Sequence, residues 1–258
     1  MSRVANRPQS AQVTWQDVEC GGYAGDLATW EHLAHEAAGP VLELGCGAGR
    51  VALHLARAGF QVTGLDRSPD LVVELRHRAA AAGIELDAVE ADVCDFELGR
   101  RFALVLAPMQ LVHLLGGSPR RATMLRCADR HLASGGVLAV ALLTAETGAT
   151  STGEIPDEAP HPAPDVRELD GWVYSSLPLD TRASGKSIEV RRLRQVVSPA
   201  GELTEELDVT RLDPLDAGRL AAEAASVAGL RERERLEIAP TRDHVGSTVL
   251  VLEAQGSR

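Results

Sequence analysis

Short apolar runs and longer amphipathic stretches alternate along the first 143 residues. Positions 40–45, 61–66, 85–90, 102–107 and 137–143 have strand length and strand composition, and several are apolar without a break, as in strands buried on both faces. Between them, apolar residues recur at helical spacing. In 26–38, Leu27, Trp30, Leu33 and Ala34 share one face, and similar patterns cover 49–58, 69–82 and 119–132. Ser68-Pro69 reads as an N-cap followed by a proline in the first helical turn. Strand and helix in alternation predict a parallel, doubly wound sheet.

The rhythm breaks at 144. Residues 144–167 are rich in Thr, Gly, Glu and Pro and read as irregular. Three strand-like stretches follow, at 171–179, 187–198 and 202–212, expected as an antiparallel patch in or beside the sheet. A helix at 214–228 and strands at 229–238 and 246–254 complete the chain, the last two joined closely enough to form an antiparallel hairpin. At 258 residues, one α/β domain over 15–258 is expected. It carries an insertion or lid at about 145–213 and a disordered tail at 1–14.

The segment Val41-Leu42-Glu43-Leu44-Gly45-Cys46-Gly47-Ala48-Gly49-Arg50 changes this picture most. A strand ends in an acid and three alternate glycines, then a helix begins. Glycines permit left-handed backbone and close approach by a ligand, and the helix start offers unpaired N–H groups. A dinucleotide site needs G-x-G-x-x-G. Here Arg50 stands where the third glycine of that pattern would fall, and Glu43 suits a cationic ligand better than a pyrophosphate.

These ten residues resemble the first motif of class I S-adenosylmethionine (SAM)-dependent methyltransferases. The resemblance covers about 20–144 for the motifs and 214–254 for the closing topology. It implies a mostly parallel seven-stranded Rossmann-like sheet whose last strand is reversed. It also implies that SAM is held by Gly45, Cys46, Gly47 and Gly49, with Asp66 on the ribose hydroxyls beside Arg67, and Asp92 and Val93 on the adenine. Pro108 and Met109 would stand near the methionine end, with Gln110, and Tyr23 would close over the sulfonium, whose charge suits an aromatic face. Asp66 could instead only cap the next helix, Asp95 competes with Asp92, and Tyr23 and Trp30 could be core residues. The [D/N]-P-P-[Y/F] signature of DNA and some protein amide methyltransferases is not found at Ala107-Pro108-Met109-Gln110.

Methyl transfer needs positioning above all, and a base only for a protonated acceptor. His113 and His244 are the candidate bases. Arg167-Glu168 and Trp172-Tyr174 border the insertion and could line a lid. The histidines show no metal-ligand spacing, and His32 and His35 with Glu31 and Glu36 read as a solvated helix face. A net charge of −11 argues against nucleic acid, and Arg191-Arg192-Leu193-Arg194 reads as a solvated strand face. Four scattered cysteines, a polar N-terminus and the lack of an apolar run near the roughly 20 residues of a span point to a cytoplasmic protein. The expected partner is a small-molecule substrate rather than nucleic acid or membrane, and monomer and homodimer both stay open. The rival readings are SAM chemistry other than methylation, such as cyclisation, a nicotinamide-dependent oxidoreductase, and a non-catalytic SAM-binding protein.

Overall fold

The computed structural model describes residues 10–143, 163–241 and 245–254. Seven strands form the main sheet: β1 (Val41–Leu44), β2 (Val62–Asp66), β3 (Asp87–Glu90), β4 (Phe102–Ala107), β5 (Leu132–Leu143), β10 (Arg231–Ile238) and β11 (Ser247–Glu253), in the order β10-β11-β5-β4-β1-β2-β3. β1, β2, β3, β4 and β5 pair in parallel, while β11 runs antiparallel to both β5 and β10. The expected terminal hairpin and reversed last strand are therefore present.

Two layers of helix cover this sheet, and alternation within each strand feeds both. In β4, Val105 and Ala107 face α5 (Ser118–His131) and α6 (Ala217–Ala228), packing with Met124, Leu125 and Leu220. Leu104 and Leu106 face α2 (Leu27–Ala37) and α3 (Arg50–Arg57), packing with Trp30, Leu33 and Leu55. α4 (Pro69–Ala82) begins as expected, with Ser68 Oγ accepting from Leu71 N–H.

Three differences from the sequence reading stand out. Residues 11–14, expected in the tail, open α1 (Ala11–Glu19), capped by Ser10; positions 1–9 lie outside the described residues. β5 begins at Leu132 rather than 137. Asp165–Leu169, within the span expected to be irregular, is a strand, β6, recruited by pairing with β7 (Trp172–Ser184). As expected of a patch beside the main sheet, β6 and β7 join β8 (Ser187–Val197) and β9 (Leu203–Leu212) in a separate antiparallel sheet, order β6-β7-β8-β9.

α1 packs between the two sheets. Its Trp15 meets Tyr174 of β7 edge to face and lies under the Arg194 guanidinium. Arg192 and Arg194 are consequently not a solvated face: Arg194 pairs with Glu19 of α1 at 2.7 Å and with Asp208 at 2.7 Å, and Arg192 pairs with Asp165. Arg191, on the other face, is likewise half-buried and pairs with Asp180.

Candidate cofactor site

The glycine turn sits where β1 meets α3. Gly45, Gly47 and Gly49 have φ of 67°, 55° and 95°, a region costly for side-chain-bearing residues. Space forbids a side chain as well. A Cβ on Gly47 would lie 1.9 Å from Gln16 Nε2, and one on Gly49 would lie 2.3 Å from Leu75 Cδ1.

Asp66, at the end of β2, braces the turn. Its Oδ2 accepts from Gly47 N–H and its Oδ1 from Ser68 N–H, both at 2.9 Å. The next helix is capped by Ser68 rather than by Asp66. Each Asp66 oxygen retains a further lone pair, enough to accept the two hydroxyls of a ribose diol.

A cavity of about 690 Å³ opens on this turn. Glu43, Gly45, Cys46, Ala48 and Gly49 line it, with Tyr23, Arg50, Pro108 and Met109 around them and Gln16 and Arg167 from α1 and β6. Glu43 is 3% exposed, its Oε2 has no hydrogen-bond partner, and burial pushes its carboxyl up to about 8 against the pull of Arg50. An orphaned acid oxygen in a cavity wall suits a cationic ligand group, since a buried carboxylate needs a partner. Tyr23 is buried, and the Arg50 guanidinium lies 5.2 Å from its ring centroid. Arg50 is itself held by Asp26 at 2.5 and 2.7 Å and donates to the Tyr23 carbonyl. Trp30 is wholly buried, donating to Asp26, and belongs to the core.

Other expected residues stand apart from the cavity. Asp92 accepts from Cys94 N–H at 2.8 Å and pairs with Arg120 at 2.7 Å, which together hold its carboxyl below the usual range. The Val93 side chain belongs to the core. Arg67 is exposed, and Gly47 lies behind the cavity wall, bonded to Asp66. Met109 lines the cavity and Gln110 does not; both have left-handed φ, 50° and 55°.

A base role for His113 conflicts with its surroundings. It is 2% exposed; Nδ1 lies 2.8 Å from the Asp213 carbonyl, and Nε2 accepts from Leu143 N–H at 3.2 Å. Both ring nitrogens are in use, and burial holds the imidazole below its ordinary pKa, in its neutral form. His244 lies outside the described residues. Arg167 lines the cavity and pairs with Asp17 of α1 at 3.0 Å. His32 and His35 are exposed and pair with Glu36 and Glu31. Among the described residues no group of three side chains could hold a metal ion, and no helix is long and apolar enough to cross a membrane.

Gln16 was not foreseen as a site residue. Its Oε1 accepts from Ala48 N–H at 2.7 Å, so it caps the turn's own donor from above. Nothing in the sequence marks it, because a nine-residue helix gives little periodicity.

Comparison with known proteins agrees with this geometry. A family model described as a methyltransferase domain matches residues 41–136. A SAM-dependent Diels-Alderase of Talaromyces variabilis is 42% identical over 65 residues, covering 25% of this chain and 22% of that protein. A dTDP-3-amino-3,6-dideoxy-glucopyranose N,N-dimethyltransferase of Streptomyces fradiae is 33% identical over 116 residues, covering 45% and 44%. The matched stretches thus span less than half the length of these curated relatives. The structure of the CcbJ methyltransferase from Streptomyces caelestis superposes with a TM-score of 0.68 at 25% identity, covering 91% of each chain. Residues 41–136 thus match a methyltransferase domain, and the sheet order and these likenesses give the chain the fold of the class I SAM-dependent methyltransferases.

Proposed function

We propose that the protein is a SAM-dependent methyltransferase acting on a small-molecule acceptor in specialised metabolism. The observation that carries this reading is the buried, unpartnered oxygen of Glu43, a residue in the wall of a cavity floored by the glycine turn that Asp66 braces. Glu43 suits the ammonium of the amino-acid moiety, Asp66 the ribose hydroxyls, Tyr23 the sulfonium, and Pro108 and Met109 the edge where donor and acceptor meet. When bound, SAM supplies a methyl group on a carbon activated by positive sulfur. The chain's own part is to bind, orient and exclude water. The adenine contacts of Asp92 and Val93 belong to this reading only if Asp92 exchanges Arg120 for the base.

The Streptomyces relative makes amino-sugar nucleotides the first acceptors to test. The same reading puts the protein in the cytoplasm, in keeping with four free cysteines, three of them buried. Calorimetric titration with S-adenosylhomocysteine should show binding that Asp66→Ala abolishes. No binding by a folded wild-type protein sinks the proposal.

The Diels-Alderase match favours one second reading, a SAM-dependent reaction without methyl transfer. That match covers a quarter of the chain and speaks for that segment alone. Product mass separates the two, because methylation adds about 14 Da.

A further inference from the structure

The inserted sheet leaves the main sheet after β5 and returns just before α6. The end of β5 and the return from β9 meet at one side chain. His113 Nε2 accepts from Leu143 N–H, at the end of β5, while its Nδ1 lies 2.8 Å from the carbonyl of Asp213, just past β9. The His113 carbonyl in turn accepts from Asp213 N–H at 2.7 Å. The Asp213 carboxylate is fixed by Gly117 N–H and by Arg121, which also pairs with Glu223 of α6.

The other end of the same short segment reaches the cofactor cavity. His113 lies on a 3-10 turn, Leu111–Leu114, that follows Met109 in the cavity wall. Leu111 packs on Gly45 so closely that a Cβ there would lie 3.0 Å from Leu111 Cδ1. One rigid turn thus touches the glycine motif with one residue and binds the root of the inserted sheet with another.

We propose that His113 is a positioning residue: its neutral imidazole ties the end of β5 and the return from β9 to the cofactor edge and fixes how the inserted sheet is rooted beside the cavity. The tie needs a ring that donates at Nδ1 and accepts at Nε2, which only the neutral form does. Protonation makes Nε2 a donor facing the Leu143 N–H and breaks the tie. The charged groups facing the ring are Arg121, which opposes protonation, and Asp213, which favours it; burial adds to the opposition. Glu223 and Arg219 stand behind Arg121. The tie stands on geometry alone, whereas its bearing on catalysis rests on the methyl-transfer reading.

Hydrogen–deuterium exchange tests the proposal on the ligand-free chain. His113→Ala should speed exchange about tenfold or more in peptides covering Leu143 and 203–217. Peptides from β1, β2 and β4 should stay within about twofold of wild type. Uniform acceleration, or none, overturns the proposal. In wild type, lowering pH from about 7.5 to about 5 should give the same local acceleration after correction for intrinsic rates. His113→Gln can accept from Leu143 and cannot charge, so it should not respond. An equal pH response in His113→Gln also overturns the tie, and these two arms hold even if His113→Ala fails to fold.

S-adenosylhomocysteine gives the coupling readout. It should protect 203–217 in wild type and not in His113→Ala, with affinity changed by less than about threefold. Retained protection in the variant overturns the coupling. Failure of wild type to bind the probe refutes the methyl-transfer reading and leaves the ligand-free arms to decide the tie.

Discussion

Glu43 pits burial against binding. Its folded pKa, near 8, lies above the ordinary value of 4.5. The folded state therefore favours the protonated acid. Its stabilising contribution is complete below pH 4.5 and is lost as pH rises through 8. Glu43→Gln should flatten that part of the stability profile in ligand-free denaturation. A cationic ligand prefers the carboxylate, so S-adenosylhomocysteine affinity should rise from pH 6 to 8, by at most about tenfold per unit. Calorimetry in buffers of different ionisation enthalpy should show proton release on binding, absent in Glu43→Gln. The glycines differ in what they tolerate. Gly47→Ala meets the far end of a flexible Gln16, while Gly49→Ala meets Leu75, which is 0% exposed. Thermal unfolding should rank Gly49→Ala as the worse, by about 1–3 kcal/mol beyond the left-handed backbone cost that both share. The gathering of Glu43, the glycines and Asp66 at one turn was legible because a contiguous motif and one strand end fix it. The surroundings of Asp92 and His113 were not, because Arg120, Leu143 and Asp213 are brought up only by tertiary folding.

Among the elements, α1 has the most to hold together for its length. Gln12 meets Ser68, Gln16 meets the glycine turn, Asp17 pairs with Arg78 and Arg167, and Glu19 meets Arg194 and Ser176. Its Glu19–Arg194 pair is about four-fifths buried on both sides. Removing one partner strands the other, though Asp208 still serves Arg194. Glu19→Ala should cost about 1–2 kcal/mol in urea unfolding, with a matching coupling energy in a double-mutant cycle with Arg194→Ala. The helix 69–82 and the strand 102–107 were read to their ends because Ser68-Pro69 and an unbroken apolar run mark them. α1 and β6 were missed for opposite reasons. α1 is too short for a clear period, and Asp165–Leu169 is a polar strand made by its pairing with β7 rather than by its own pattern.

For the whole molecule, Arg121 is the buried charge that binds separate parts. Its side chain is 1% exposed and spans Asp213 at the root of the inserted sheet and Glu223 on α6. Arg121→Met leaves Asp213 without its cation and Glu223 with only the exposed Arg219. Because both carboxylates are nearly 20% exposed and can hydrate, the cost should sit near the low end for a broken buried pair, about 2–3 kcal/mol, measured by denaturant unfolding. The parallel part of the main sheet was readable from alternation, and its closing hairpin from the short connection between the last two strands. The independence of the second sheet was not, because nothing in strand-like stretches says which neighbours they choose.

The meeting of Leu143 and Asp213 at one imidazole has an evolutionary consequence. The parent sheet already holds the two chain ends together, so the loop-closure entropy of whatever hangs between them grows only slowly with its length. Segments of different size and chemistry can be grafted at that doorway while the methyl-donor half stays unaltered. Exchanging the graft would change what stands beside the cavity without changing how its ends are held.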